Sequence, residues 1–113
     1  YEFVTQQLHS KNEKIWSNLG NLYGLQQKFD KSLDAYSKAI EIGPKDGRGY
    51  LSRGNAYHNK GDYDRAIEDY SKAIAIDPKN ADAYHRRGND YENKGDYDKA
   101  AADEEKYRSL SQK

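Results

Sequence analysis

The chain has 113 residues, room for one domain, and its 19 basic and 19 acidic residues give no net charge. That balance excludes the basic excess by which nucleic-acid binders neutralise phosphates. The absence of cysteine excludes disulfides, thiol catalysis and zinc–thiolate sites, and no apolar run is long enough to span a membrane.

Residues 1–12 carry Phe3, Val4 and Leu8, which fit either the end of a preceding helix or a flexible tail. The chain starts at Tyr1 without a charged-then-apolar leader, and is read as a fragment or processed form. From Trp16 onward it repeats itself every 34 residues: Trp16, Tyr50 and Tyr84; Gly20, Gly54 and Gly88; Tyr23, Tyr57 and Tyr91; Pro44 and Pro78. Such a period marks stacked units, each burying a thin face against the next. The division read from it is 13–46, 47–80 and 81–113. A mean hydropathy of −1.28 suits that thin core.

Each copy splits into two predicted helices. Asn12, Asp46 and Asn80 stand where N-caps of the first helices belong. In the second copy Tyr50, Gly54 and Tyr57 share one helical face. The turn clusters Asn59-Lys60-Gly61-Asp62 and Asn93-Lys94-Gly95-Asp96 follow, with Asp62 and Asp96 as caps of the second helices. Tyr63, Ala66, Ile67, Tyr70, Ala73 and Ile74 recur in steps of three and four, and Pro44 and Pro78 stop the second helices. Gly20, Gly54 and Gly88 fall mid-helix, at about 1 kcal/mol each against alanine. The expected compensation is close approach by the partner helix, small at Ser32, Ala66 and Ala100. Tyr23, Tyr57, Tyr91, Phe29, Tyr63 and Tyr97 are expected to fill the gaps between pairs.

Two positions switch together. Arg53 and Arg87 replace Leu19, and Asp69 and Asp103 replace Ala35. This predicts ion pairs Arg53–Asp69 and Arg87–Asp103 within each helix pair, with Arg87–Asp69 across pairs as the competing geometry.

Trp16-x-x-Leu19-Gly20-x-x-Tyr23 with Tyr36, Ala39 and Pro44 resembles the tetratricopeptide repeat. Tyr50, Gly54, Tyr57, Ala66, Tyr70, Ala73 and Pro78 form a second copy, and Tyr84, Gly88, Tyr91 and Ala100 a third. The resemblance covers residues 13–113 and implies an all-α, right-handed superhelix (solenoid) of three antiparallel helix pairs with a concave groove. Gln27-Lys28 departs from the Gly-Asp turn. Glu104 and Tyr107 depart from the tyrosine and alanine of the earlier copies, and the last helix, rich in charge, is read as a cap.

The resemblance places the groove on the first helices. Its expected lining is Lys14, Ser17, Asn18, Asn21 and Leu25 in the first copy. Arg48, Leu51, Ser52, Asn55, His58 and Asn59 follow in the second, and Asp82, His85, Arg86, Asn89, Glu92 and Asn93 in the third. Asn21, Asn55 and Asn89 recur as amides able to donate to and accept from a peptide backbone, or simply as residues common in the family. Leu25 and Leu51 are apolar where solvent is expected, as single leucines often are. Many relatives hold acidic chaperone tails with lysine, asparagine, asparagine, lysine and arginine. Here those positions are Ser17, Asn21, Ser52, Asp82 and Arg86, so only Asn21 and Arg86 agree, and Asp82 would repel a carboxylate. His9, His58 and His85 lack metal-motif spacing, and no nucleophile–base arrangement emerges. The expectation is a non-enzymatic module without cofactor or metal, binding a peptide or partner protein and neither nucleic acid nor membrane. The alternative is a structural or self-association module, with homo-oligomers formed through the exposed ends.

Overall fold

The computed structural model describes residues 13–112, so the N-terminal segment and the Asn12 cap lie outside the described residues. Six helices follow one another: α1 (Glu13–Leu25), α2 (Phe29–Ile42), α3 (Gly47–Lys60), α4 (Tyr63–Ile76), α5 (Ala81–Asn93) and α6 (Tyr97–Ser111). Each odd helix packs on the even helix after it, and each even helix then packs on the next odd one, giving three stacked pairs. The result is an elongated all-α solenoid of 49 × 27 × 19 Å.

Local chemistry sets the boundaries. The side chains of Asp46 and Asn80 accept from the backbone N–H of Arg48 and Ala83, capping α3 and α5. Asp62 and Asp96 do the same for α4 and α6 through Arg65 and Lys99. Each cap satisfies a backbone donor that the first turn leaves unpaired. The turns before α4 and α6 pass through Gly61 at φ 90° and Gly95 at φ 85°, a left-handed conformation that costs glycine little. The first pair makes the same turn with Gln27 at φ 61°, and Lys28 provides no side-chain cap to α2.

The core consists of alanine and tyrosine: Ala35, Ala39, Ala66, Ala73 and Ala83 are buried, as are Tyr36 and Tyr70, with Leu33 and Ile40 between the first two pairs. Gly20 and Gly54 follow from the tyrosines. A Cβ on Gly20 would stand 2.5 Å from the Tyr36 ring, and one on Gly54 would stand 2.7 Å from the Tyr70 ring. The partner helix therefore does approach as expected, but it is a ring that occupies the space. Ser32 adds a hydrogen bond from its Oγ to the Gly20 carbonyl, 2.8 Å.

The arginine–aspartate pairing is within pairs. Arg53 makes a two-pronged contact with Asp69, both arms 2.8 Å. Arg87 does the same with Asp103 at 2.9 and 2.8 Å. The third arm of each guanidinium reaches back to the previous pair, to Ser37 at 3.2 Å and Ser71 at 3.0 Å. One arginine thus ties together both helices of its own pair and the second helix of the pair before. Of the aromatics expected in the gaps, Tyr97 is an exception at 68% exposed; no described helix packs beyond α6 to cover it.

Candidate functional site

The sequence-predicted lining residues lie on α1, α3 and α5, the first helices of the three pairs, and none of them is buried. Lys14, Ser17 and Asn18 of α1 come together with Arg48 and Ser52 of α3 around a recess of about 230 Å³, bounded also by Glu13, Asp46 and Gly49. Periodicity did not single out Glu13 or Asp46 for this role; Asp46 was read only as a cap. Arg48 binds the Asp46 carboxylate at 2.9 Å and holds that carboxyl below its ordinary range. The recess therefore joins hydroxyls, an amide and compensated charge.

Farther along, His58, Arg86 and Asn89 meet Tyr70 around a smaller hollow of about 40 Å³. Leu51, Asn59 and Asn93 join neither recess, and Leu25 projects into solvent, 84% exposed.

The recurring asparagines are held by the core tyrosines. Tyr36 donates its hydroxyl hydrogen to Asn21 Oδ1, and Tyr70 donates to Asn55 Oδ1 at 2.6 Å. Arg86 Nη1 donates to the same Asn55 oxygen at 3.2 Å. With their oxygens engaged, these two amides offer chiefly N–H donors. The sequence alone had given them both roles. The tyrosines sit 15 residues after the asparagines in both copies, a coincidence of register that could have exposed the contact.

Two of the lining charges in the third pair, Asp82 and Arg86, are used within the protein. Asp82 accepts from Arg86 at 2.9 Å, one helical turn apart, so the arginine is neutralised in place. His85 does not stand free: its ring lies 4.5 Å from that of Tyr107, and its Nδ1 is 3.5 Å from Glu104. His58 Nδ1 contacts Asp90 Oδ1 at 2.5 Å. The two histidines thus turn to different carboxylates. Among the described residues no three His, Asp or Glu side chains gather as metal ligands, and no helix is long and apolar enough to cross a membrane.

Three family models described as tetratricopeptide repeat or TPR repeat match residues 13–46, 35–68 and 54–95. Among solved structures, the TPR domain of Arabidopsis OM64 is 30% identical, with a TM-score of 0.82, over 87% of this chain and 81% of that one. MamA is 28% identical, with a TM-score of 0.87, over 90% of this chain, which spans 60% of that one. The first TPR of Spaghetti (RPAP3), solved bound to the HSP90 peptide SRMEEVD, is 27% identical with a TM-score of 0.85, over 89% of this chain and 80% of that one. A comparison with curated protein sequences finds no match.

Proposed function

The chain belongs to the tetratricopeptide repeat family, and from that premise we propose that it is a non-enzymatic interaction module that holds a peptide or partner segment against the face formed by α1, α3 and α5. The observation that carries this reading is the recess shared by Lys14, Ser17, Asn18, Arg48 and Ser52. Two successive first helices contribute to it, as a site for a segment lying across the repeats requires. The Asn21 and Asn55 amides stand on the same helices as donors for backbone carbonyls of such a segment.

The ligand differs from the acidic tail held by the Spaghetti domain. Arg86, one of two matching clamp positions, is engaged by Asp82 and Asn55. Asn21, the other, accepts from Tyr36. The remaining three positions are Ser17, Ser52 and Asp82, and none supplies a cation. A tail ending in clustered carboxylates meets little positive charge here.

Selection of peptides from a random displayed library on the immobilised chain, followed by titration of the winners, tests the assignment. Ser52→Arg fills the recess from a half-buried surface position. We expect it to weaken binding at least tenfold while the melting temperature stays within a few degrees. Unchanged affinity in that variant rules the recess out as the binding face.

A further inference from the structure

The three helix pairs differ at one seat. In the first pair the Tyr36 ring lies on Gly20 and its hydroxyl donates to Asn21. The second pair repeats this with Tyr70 on Gly54 and Asn55. The third keeps the glycine and the amide, as Gly88 and Asn89, but has Glu104 in the tyrosine register. The Glu104 carboxylate lies 3.5 Å from His85 Nδ1 and 3.7 Å from Arg108 Nε, at the wall of the seat. No ring rests on Gly88: the atoms nearest to a Cβ there would be Asp103 Cβ and the backbone of Ala100 and Glu104. A recess of about 350 Å³ opens in that place, lined by Gly88, Asn89, Tyr97, Ala100, Glu104 and Arg108 among others. Asn89 has no hydrogen-bond partner among the described residues, and Tyr97 beside it is largely exposed.

We propose that this recess is a binding site for a phenolic side chain, a tyrosine supplied by a partner protein, which takes the seat that Tyr36 and Tyr70 fill in the other two pairs. The chain itself provides the template. Twice a ring packs against a glycine, where a helix would otherwise prefer alanine, and twice a phenol donates to the neighbouring asparagine. The seat is also the next register of the internal interface. Over Tyr70, the following first helix closes the site through Arg86; over Gly88 no described helix does so. A phenol satisfies the Asn89 oxygen, whereas a phenylalanine or leucine buries ring or methyl surface but leaves that acceptor without a donor. Arg108 on the rim adds a cation that can face an aromatic ring. The inference rests on the reading of the chain as an interaction module, but it uses neither the α1–α3 recess nor Ser52.

The probe is p-cresol, the tyrosine side chain alone, titrated into the isotope-labelled chain and followed by amide chemical shifts, with toluene as the phenylalanine counterpart. Saturable shifts confined to Gly88, Asn89 and the α6 residues around Ala100 are expected, with toluene about fivefold weaker, the worth of one hydrogen bond. Glu104→Tyr fills the seat from within and should abolish the shifts. Asn89→Ala, at an exposed position, should bring p-cresol down to the level of toluene even if Glu104→Tyr fails to fold. Shifts that do not saturate, that persist in Glu104→Tyr, or that ignore Asn89→Ala overturn the assignment. A result for or against Ser52 in the peptide titration leaves this outcome independent.

Discussion

His58 and Asp90 meet across the joint between the second and third pairs, His58 Nδ1 lying 2.5 Å from Asp90 Oδ1. Asp90 is 0% exposed and its second oxygen has no partner. Ala56, one period earlier on α3, is also buried, so a carboxylate occupies a position that the preceding copy gives to a methyl group. Burial raises the Asp90 pKa, and His58 pulls it part of the way back.

The direction of the pH effect follows. A carboxyl whose folded pKa lies above its unfolded value binds its proton more tightly in the folded state. Its stabilising contribution is complete below the ordinary carboxylate range and is lost as pH rises through the folded value. Other ionisable groups around it are Tyr70 from α4, whose hydroxyl is pushed up by burial and by the Asp90 charge, and Arg86 on α5 itself. From α6, Asp103 is engaged by Arg87. Asp90→Ala should therefore gain stability relative to the parent as pH increases from about 4 to 8, reaching about 1 kcal/mol or more once the carboxylate is charged. Urea unfolding of both proteins across that range checks it, and a difference independent of pH refutes it.

Arg53 and Asp69 form a largely desolvated pair, their side chains 18% and 3% exposed. Truncating only the arginine leaves a buried carboxylate, and Arg53→Leu should cost about 3 kcal/mol. Adding Asp69→Ala reproduces the Leu19 and Ala35 combination of the first pair and should recover most of that loss. Denaturant midpoints of the single and double variants decide it, since equal stabilities would mean that the two residues do not act as a unit.

Gln27 sits at φ 61° where the other turns place glycine. A side chain with a Cβ loses roughly 1 kcal/mol in that conformation, so Gln27→Gly should raise stability by about that amount. Lys28→Asp, restoring the cap seen at Asp62 and Asp96, should add about 1 kcal/mol more. The reverse change, Gly61→Gln, should lower stability to a similar degree. Thermal melts of the three variants test both halves of the turn.

Sequence periodicity revealed the helix order, the caps of α3 to α6 and the arginine–aspartate pairs, because each depends on local chemistry or on a two-position switch within one chain. It did not reveal that Asn21 and Asn55 are hydrogen-bonded to tyrosines. That contact joins two faces that helical spacing treats separately, one assigned to the groove and the other to the core. His85 shows the same limit: its register placed it in the groove, and Tyr107, in a position where alanine stands in the other copies, draws it toward α6. Asp90 was readable in principle, since Leu22 and Ala56 precede it in register. Its partner was not, because His58 comes from a neighbouring pair.

The mid-helix glycines separate the cost of a ring from the cost of a helix. Alanine is the better helix former by about 1 kcal/mol, so a substitution that met open space would stabilise. At Gly54 the new Cβ would lie 2.7 Å from the Tyr70 ring, which is itself buried and tied to Asn55, so neither group can yield without disturbing the core. Gly54→Ala should therefore cost at least about 2 kcal/mol, and Gly20→Ala should behave alike. At Gly88 the nearest atom is Asp103 Cβ at 3.2 Å, close enough to require a small adjustment but with no ring in the way. Gly88→Ala should accordingly be less damaging than Gly54→Ala by about 2 kcal/mol. If chemical denaturation finds the three substitutions equally costly, contact between helix backbones rather than the tyrosine rings sets the requirement for glycine, and the open seat over Gly88 loses its template.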